Sequence, residues 1–142
     1  MKNEFSIRVM NEKDIDDALV LWRQSFNRGF SEGFDTVDSI TRYLERNVNL
    51  STVAYMGNQL IGALMCGHDG RRGSIYHTAV YPEYRDLGIG KQMEKRSLDE
   101  LKNIGITTGF LFINVNNPGS REFWESIGWQ VIDDVRYLYK EF

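Results

Sequence analysis

The sequence predicts an α/β fold, a mixed sheet with helices on its faces, in the order β-α-α-β-β-β-α-β-α-β-β. Three observations carry that prediction. Apolar residues keep a helical spacing from Ile15 to Phe26, give way to β-type runs from Thr52 to Tyr81, and return to helical spacing from Ile89. Gly57-Asn58 stands between two apolar runs, a hairpin signal with glycine first. Gly109 to Val115 is nearly all apolar, as expected of a strand covered on both faces.

Each element follows in turn. Phe5 to Val9 reads as a first strand, and Asn11 or Asp14 can cap the helix after it. That helix carries its apolar stripe on Ile15, Ala18, Leu19, Trp22 and Phe26. A loop with Gly29 and Gly33 leads to a second helix over Thr36 to Arg46, with Val37, Ile40 and Leu44 on one face. Thr52 to Met56 and Gln59 to Cys66 are the next strands, followed by the turn Asp69-Gly70-Arg71-Arg72-Gly73. Ser74 to Tyr81 is a fourth strand, rich in β-branched and aromatic residues. Ile89 to Ile104 is a helix with Ile89, Met93, Leu98 and Leu101 inward and Gly105 as its stop. After the strand Gly109 to Val115, a short helix runs from Pro118 to Ile127 and ends at Gly128. Trp129 to Val131 and Arg136 to Phe142 are expected as the last strands.

Composition bounds the function. The chain of 142 residues is 42% apolar and 26% charged, enough to bury a core and stay soluble, and residues 1–142 read as a single domain without linker or repeat. No apolar run reaches the length of a membrane span. The start, Met1 to Met10, mixes charged with apolar residues and does not resemble a secretion signal, so a cytoplasmic protein is expected. A net charge of -3 argues against a general nucleic-acid binder. Cys66 is the single cysteine, so no internal disulfide framework exists. Cys66, His68 and His77 match the spacing of no standard metal site, and no metal is expected.

The most informative stretch is Val80-Tyr81-Pro82-Glu83-Tyr84-Arg85-Asp86-Leu87-Gly88-Ile89-Gly90-Lys91. A strand ends, a glycine-containing turn follows, and a helix begins. A helix N-terminus offers unpaired N–H groups and partial positive charge, a ready site for phosphate. Gly88 and Gly90 remove side chains where a phosphate would approach the backbone, and Arg85 and Lys91 can add charge. A dinucleotide fingerprint fails because Met93 stands at its third glycine position. A nucleoside-triphosphate loop fails because Arg85 and Gln92 occupy required positions. What remains is Arg-x-x-Gly-x-Gly, which a plain strand–helix connection would also satisfy.

Arg85-Asp86-Leu87-Gly88-Ile89-Gly90 resembles the pyrophosphate loop, [Arg/Gln]-x-x-Gly-x-[Gly/Ala], of the GNAT superfamily of acetyl-CoA-dependent N-acetyltransferases. The lead-in Ala79-Val80-x-Pro82-x-x-Arg85 is similar to that family too, as is Asn117-x-x-Ser120-x-x-Phe123-Trp124-x-x-x-Gly128-Trp129. The order of elements from Phe5 to Phe142 fits, so the resemblance covers the whole chain. Asp69 to Gly73, leading to Tyr76-His77, resembles a bacterial branch whose substrates are mostly unassigned.

The resemblance implies an enzyme that moves acetyl from acetyl-CoA to a primary amine of a small molecule or peptide by direct aminolysis. Thr78, Ala79 and Val80 would pair with the pantetheine arm through their backbone, and an N–H there is placed to hold the oxyanion. Arg85, Asp86, Leu87, Gly88, Ile89, Gly90 and Lys91 would wrap the pyrophosphate. Asn117 would touch the cofactor arm, although with Pro118 after it an N-cap explains it equally well. Trp124 stands where the family often has a tyrosine that protonates the leaving thiolate; indole is no acid near neutral pH. Trp124 could equally be core.

The family often places a glutamate early in the fourth strand, but Arg72, Gly73 and Ser74 hold no carboxylate. Tyr76 and His77 are the nearby candidates for catalytic base, on opposite faces, and imidazole titrates in the more useful range. A structural histidine and a water chain are alternatives. Phe26 to Asp38 would form the acceptor wall, where Glu32, Asp35 and Asp38 would favour a cationic amine or simply coat a solvated loop. A homodimer is compatible with the resemblance. An acyl-CoA-binding regulatory module with little catalysis is the alternative function.

Overall fold

A computed structural model describes residues 4–26 and 30–142, in two compact units, Met1–Phe112 and Ile113–Phe142. The first holds the sheet, with strands β1 Ser6–Val9, β2 Thr52–Met56, β3 Gln59–His68, β4 Gly73–Val80 and β5 Gly109–Leu111 in spatial order β1-β2-β3-β4-β5. β1 to β4 run antiparallel, and β5 joins β4 in parallel after a helical crossover. Gly57, at φ 59°, lets the two-residue turn close between Met56 and Gln59.

Helix α1, Ile15–Ser25, starts behind a capping box in which Asn11 accepts from the Lys13 N–H and Asp14 accepts from the Asn11 N–H. Its Ile15, Ala18, Leu19 and Trp22 join Ala63, Met65 and Ala79 in the core on one side of the sheet. Helix α2, Val37–Arg46, is capped reciprocally by Thr36 and Ser39, each at 3.1 Å from the other's N–H. Ile40 is its buried residue; Val37, expected inward, is exposed. Gly29 lies outside the described residues.

Helix α3, Ile89–Asn103, packs against β2, β3 and β4. It buries Ile89, Met93, Ser97 and Leu101, whereas Leu98, expected inward, is half-buried. The stripe turns toward Ser97 because its hydroxyl donates to the Leu50 carbonyl at 2.6 Å and lies 2.7 Å from Thr52 Oγ1. The fit is close. A Cβ on Gly62 would stand 3.1 Å from Met93 Cε, and one on Gly73 2.6 Å from Leu101 Cδ1.

β5 follows β4 only over Gly73 to Ile75. From Tyr76 to Val80, β4 keeps its pairing with β3 and has no β5 partner. β5 ends at Leu111, short of the expected Val115. Beyond it, the Asn114 side chain accepts from the Asn116 N–H at 2.8 Å, a local turn that competes with an extended ladder.

In the second unit, helix α4, Pro118–Ser126, starts at Asn117 and gives way to Gly128 at φ 106°. Arg121 pairs with Glu125 at 3.5 Å and with Asp133 at 3.8 Å. The strands expected over Trp129–Val131 and Arg136–Phe142 do not form a ladder. A turn at Asp133-Asp134 separates the two stretches, and a short pair of strands is marginal by itself. Among the described residues no helix is long and apolar enough to cross a membrane.

Candidate active site

Past Val80, the 3-10 turn Pro82–Tyr84 reverses the chain, with the Tyr84 N–H bonding the Tyr81 carbonyl at 2.9 Å. Asp86 then takes φ 65° and Gly88 φ 81°, and α3 begins at Ile89. Gly88 occupies the N-cap, and no side chain caps the helix. Thr36 and Asn117 cap α2 and α4, and Asn11 caps the 3-10 segment Glu12–Asp14 before α1, whereas α3, the longest helix described, has no side-chain cap at or before its start. The N–H groups of its first turn have no intrahelical partner, and the helix dipole adds partial positive charge there. A Cβ on Gly88 would approach nothing closer than Gln92 Nε2 at 4.0 Å. The glycine therefore answers to its left-handed backbone and to whatever meets the amides, not to packing.

Arg85 is exposed, and its Nε donates to the Val80 carbonyl at 3.1 Å, tying the loop to the end of β4. Lys91 is exposed in the first turn of α3. Leu87 to Lys91 thus form a donor-rich turn with the exposed charges of Arg85 and Lys91 beside it. It continues directly from the half of β4 that β5 leaves unpaired.

That half of β4 contains a bulge. Ala63 faces Ala79 and Met65 faces Tyr76, so His77 and Thr78 together oppose one residue of β3. His77 takes φ 45°, a left-handed conformation costing about 1–2 kcal/mol for an L-residue. Its surroundings hold it there. Nε2 lies 3.0 Å from Asp35 Oδ1, and the ring lies 5.3 Å from Trp22, 5.7 Å from Phe26 and 6.1 Å from Phe30. Tyr76 instead meets Tyr43 edge-on at 6.4 Å and is partly exposed. The two candidate bases therefore have different neighbours. Trp22 Nε1 and Thr78 Oγ1 are buried without a hydrogen-bond partner among the described residues. Such orphaned polar atoms are uncommon, and here both belong to the bulge or to a residue packed on it.

The carboxylates before and at the start of α2 divide. Glu32 pairs with Arg23 at 2.7 Å, Asp35 is buried against His77, and Asp38 is exposed in the first turn of α2. Asp35 as a partner of His77 was not legible in sequence. Trp22 and Phe26 were read as a helix stripe, and their role around the imidazole appears only once the bulge brings His77 to them.

Asn117 accepts from the Ser120 N–H at 3.2 Å, so it acts as the cap of α4 with Pro118 next to it. Trp124 is buried and packs edge-on with Phe123 at 5.0 Å and Trp129 at 5.7 Å. Both belong to the second unit. Burial pushes the Cys66 thiol up to about 12, and its backbone N–H donates to Ser51 Oγ. His68 Nδ1 accepts the Gly70 N–H at 3.0 Å. Among the described residues no group of three His, Cys, Asp or Glu is placed to hold a metal.

Known proteins similar to this chain include acetyltransferases. An acetyltransferase of Sodalis glossinidius (strain morsitans) is 29% identical over 135 residues, 94% of this chain and 93% of that one. The fold is similar to that of the PaiA N-acetyltransferase of Thermoplasma acidophilum in complex with coenzyme A, with a TM-score of 0.81 at 19% identity over 93% of each chain. It is also similar to a predicted acetyltransferase of Clostridium acetobutylicum with acetyl-CoA, with a TM-score of 0.72 at 24% identity over 96% of each chain. The model of the acetyltransferase (GNAT) family matches residues 16–129, well over half of the sequence, and the chain belongs to that family.

Proposed function

We propose that this chain is an N-acetyltransferase in which residues 1–142 act as one domain, moving an acetyl group from acetyl-CoA to a primary amine of a small molecule or peptide in the cytoplasm. The observation that carries the reading is the uncapped N-terminus of α3, entered through left-handed Gly88 and continuous with the unpaired half of β4. A pyrophosphate supplies the acceptors that the α3 amides lack, with Arg85 and Lys91 beside it. β5 offers no partner to the backbone of Thr78, Ala79 and Val80, which leaves room for an extended arm there beside the Val80 carbonyl that Arg85 holds. Bound acetyl-CoA supplies the thioester carbonyl.

The acceptor amine must lose a proton before or as its nitrogen attacks that carbon. His77 is the base we assign, with Tyr76 second. The contact of Asn117 and Trp124 with the cosubstrate rests on the resemblance of their motif. No tyrosine replaces Trp124 as an acid, but a thiol of ordinary pKa, ~8.5, leaves as thiolate without strong help.

Two measurements test the reading. Acetyl-CoA and CoA should raise the melting temperature, by the equivalent of about 2.7 kcal/mol at ligand 100-fold above Kd, while ATP and NAD do not. Thiol release from acetyl-CoA should then depend on an added primary amine across a panel of polyamines, aminoglycosides and peptides. Stabilisation by ATP with none by acetyl-CoA would overturn the assignment. Binding without amine-dependent release would point to an acyl-CoA-binding module instead.

A further inference from the structure

Asp35 is buried at 5% exposure, and both its oxygens are engaged. Oδ1 lies 3.0 Å from His77 Nε2, and Oδ2 accepts the Ser31 N–H at 2.8 Å. The Asp35 N–H bonds back to the Ser31 carbonyl, so the carboxylate is fixed by its own loop rather than by a mobile side chain. The ring is also packed by Trp22 of α1, by Phe26 just after that helix and by Phe30. Arg23 sits over the outside of Phe30 and is paired with Glu32. Among the described residues nothing bonds to Nδ1.

We propose that Asp35 is a positioning residue for the acetyl-transfer reaction: it holds the hydrogen of His77 on Nε2 and thereby leaves Nδ1 as the proton acceptor for the incoming amine. A carboxylate can only accept, so the imidazole must donate from Nε2, and a neutral ring then carries its lone pair on Nδ1. When the amine forms its bond to the acetyl carbon, its proton passes to Nδ1. Asp35 keeps its charge and stabilises the resulting imidazolium, which later returns the proton to solvent. The bulge at His77 has a matching purpose, since left-handed backbone takes the ring out of the strand's alternation and into the reach of Asp35.

The proposal rests on the reading of His77 as the base, and the test separates the two. The chain has two histidines, so His68→Gln leaves one imidazole to observe. In that background, 15N spectra of the ring should show the hydrogen on Nε2. A hydrogen on Nδ1 in the neutral ring overturns the proposal without any Asp35 variant. In Asp35→Asn the tautomer should become mixed, because an amide can donate as well as accept. With acetyl-CoA and n-butylamine as the probe, kcat should fall about 10²-fold while the Kd for acetyl-CoA holds. His77→Gln should fall at least as far, and the Asp35→Asn, His77→Gln double variant should be no worse than His77→Gln alone. If the tautomer shifts but kcat does not, Asp35 merely straps its loop to β4 and the proposal fails. If His77→Gln keeps wild-type kcat, the base assignment itself is wrong, whatever the tautomer.

Discussion

A side chain at Gly90 should separate cosubstrate binding from folding. Gly90 is in the first turn of α3, half-buried and with a helical backbone. Helix propensity therefore favours Gly90→Ala by up to about 1 kcal/mol. For a chain of this length that raises the melting temperature by roughly 3–5 °C. If α3 receives the pyrophosphate as proposed, the same methyl group would crowd the amides of its first turn. Displacing one charged hydrogen bond of ~1.5–3 kcal/mol weakens binding about 10- to 100-fold, and Gly90→Val, which displaces more, should exceed 100-fold. Gly88→Ala is the control for backbone strain. Its Cβ meets open space, but φ 81° costs about 1–2 kcal/mol, so its stability should drop. Calorimetric titration with acetyl-CoA and thermal denaturation of the free protein read both quantities. If Gly90→Val folds and binds acetyl-CoA with the wild-type Kd, the turn is not the pyrophosphate site and the functional assignment loses its main support.

Further outcomes follow from the same geometry. Arg85→Ala should weaken acetyl-CoA binding by less than ~5-fold in the same titration, because an exposed charge of this kind contributes about 0.2–1 kcal/mol. Trp124→Tyr should lower stability by about 1–3 kcal/mol through lost packing on Phe123 and Trp129, with no gain in kcat. A gain approaching ~10²-fold would show instead that protonation of the leaving thiolate limits the wild type. Asp14→Asn should destabilise the free protein in urea unfolding at neutral pH, since Asp14 is buried and accepts from Arg8, Tyr55 and the Asn11 N–H. Burial pushes that carboxyl up, but the bonds from Arg8, Tyr55 and Asn11 outweigh it and hold the pKa below its ordinary value. Its stabilisation is present above the unfolded-state value near ~3.9 and is lost as pH falls through the lower folded value. The gap between wild type and Asp14→Asn should therefore close in acid.

The turn from β4 into α3 was legible because its residues are contiguous and each has a local reason: strand end, glycine pair, helix start. The helices and the β2–β3 hairpin were legible for the same reason. The His77–Asp35 pair was not, since its members stand 42 positions apart and meet only through a one-residue bulge that no pattern in β4 announces. The orientation of α3 was misread where a polar residue took a core position: Leu98 looks inward by hydrophobicity, yet Ser97 is buried by two hydroxyl hydrogen bonds. The end of the chain failed differently. Trp129–Val131 and Arg136–Phe142 have strand composition, but a strand exists only where a partner offers a ladder.

The close seating of α3 has a consequence for how such an enzyme can change. Met93 presses on Gly62, Leu101 on Gly73, and Ser97 is bonded to the segment entering β2, so the helix is pinned along its length. The turn at the start of α3 and the β4 strand that leads into it are therefore held at a set separation, like two jaws cast in one piece. A substitution that retunes one jaw must refit the other. In the stretch before α2, Glu32 pairs with Arg23 of α1 and Asp35 with His77 of β4, both through side chains. Residues of that stretch can therefore be exchanged with less refitting than those along α3.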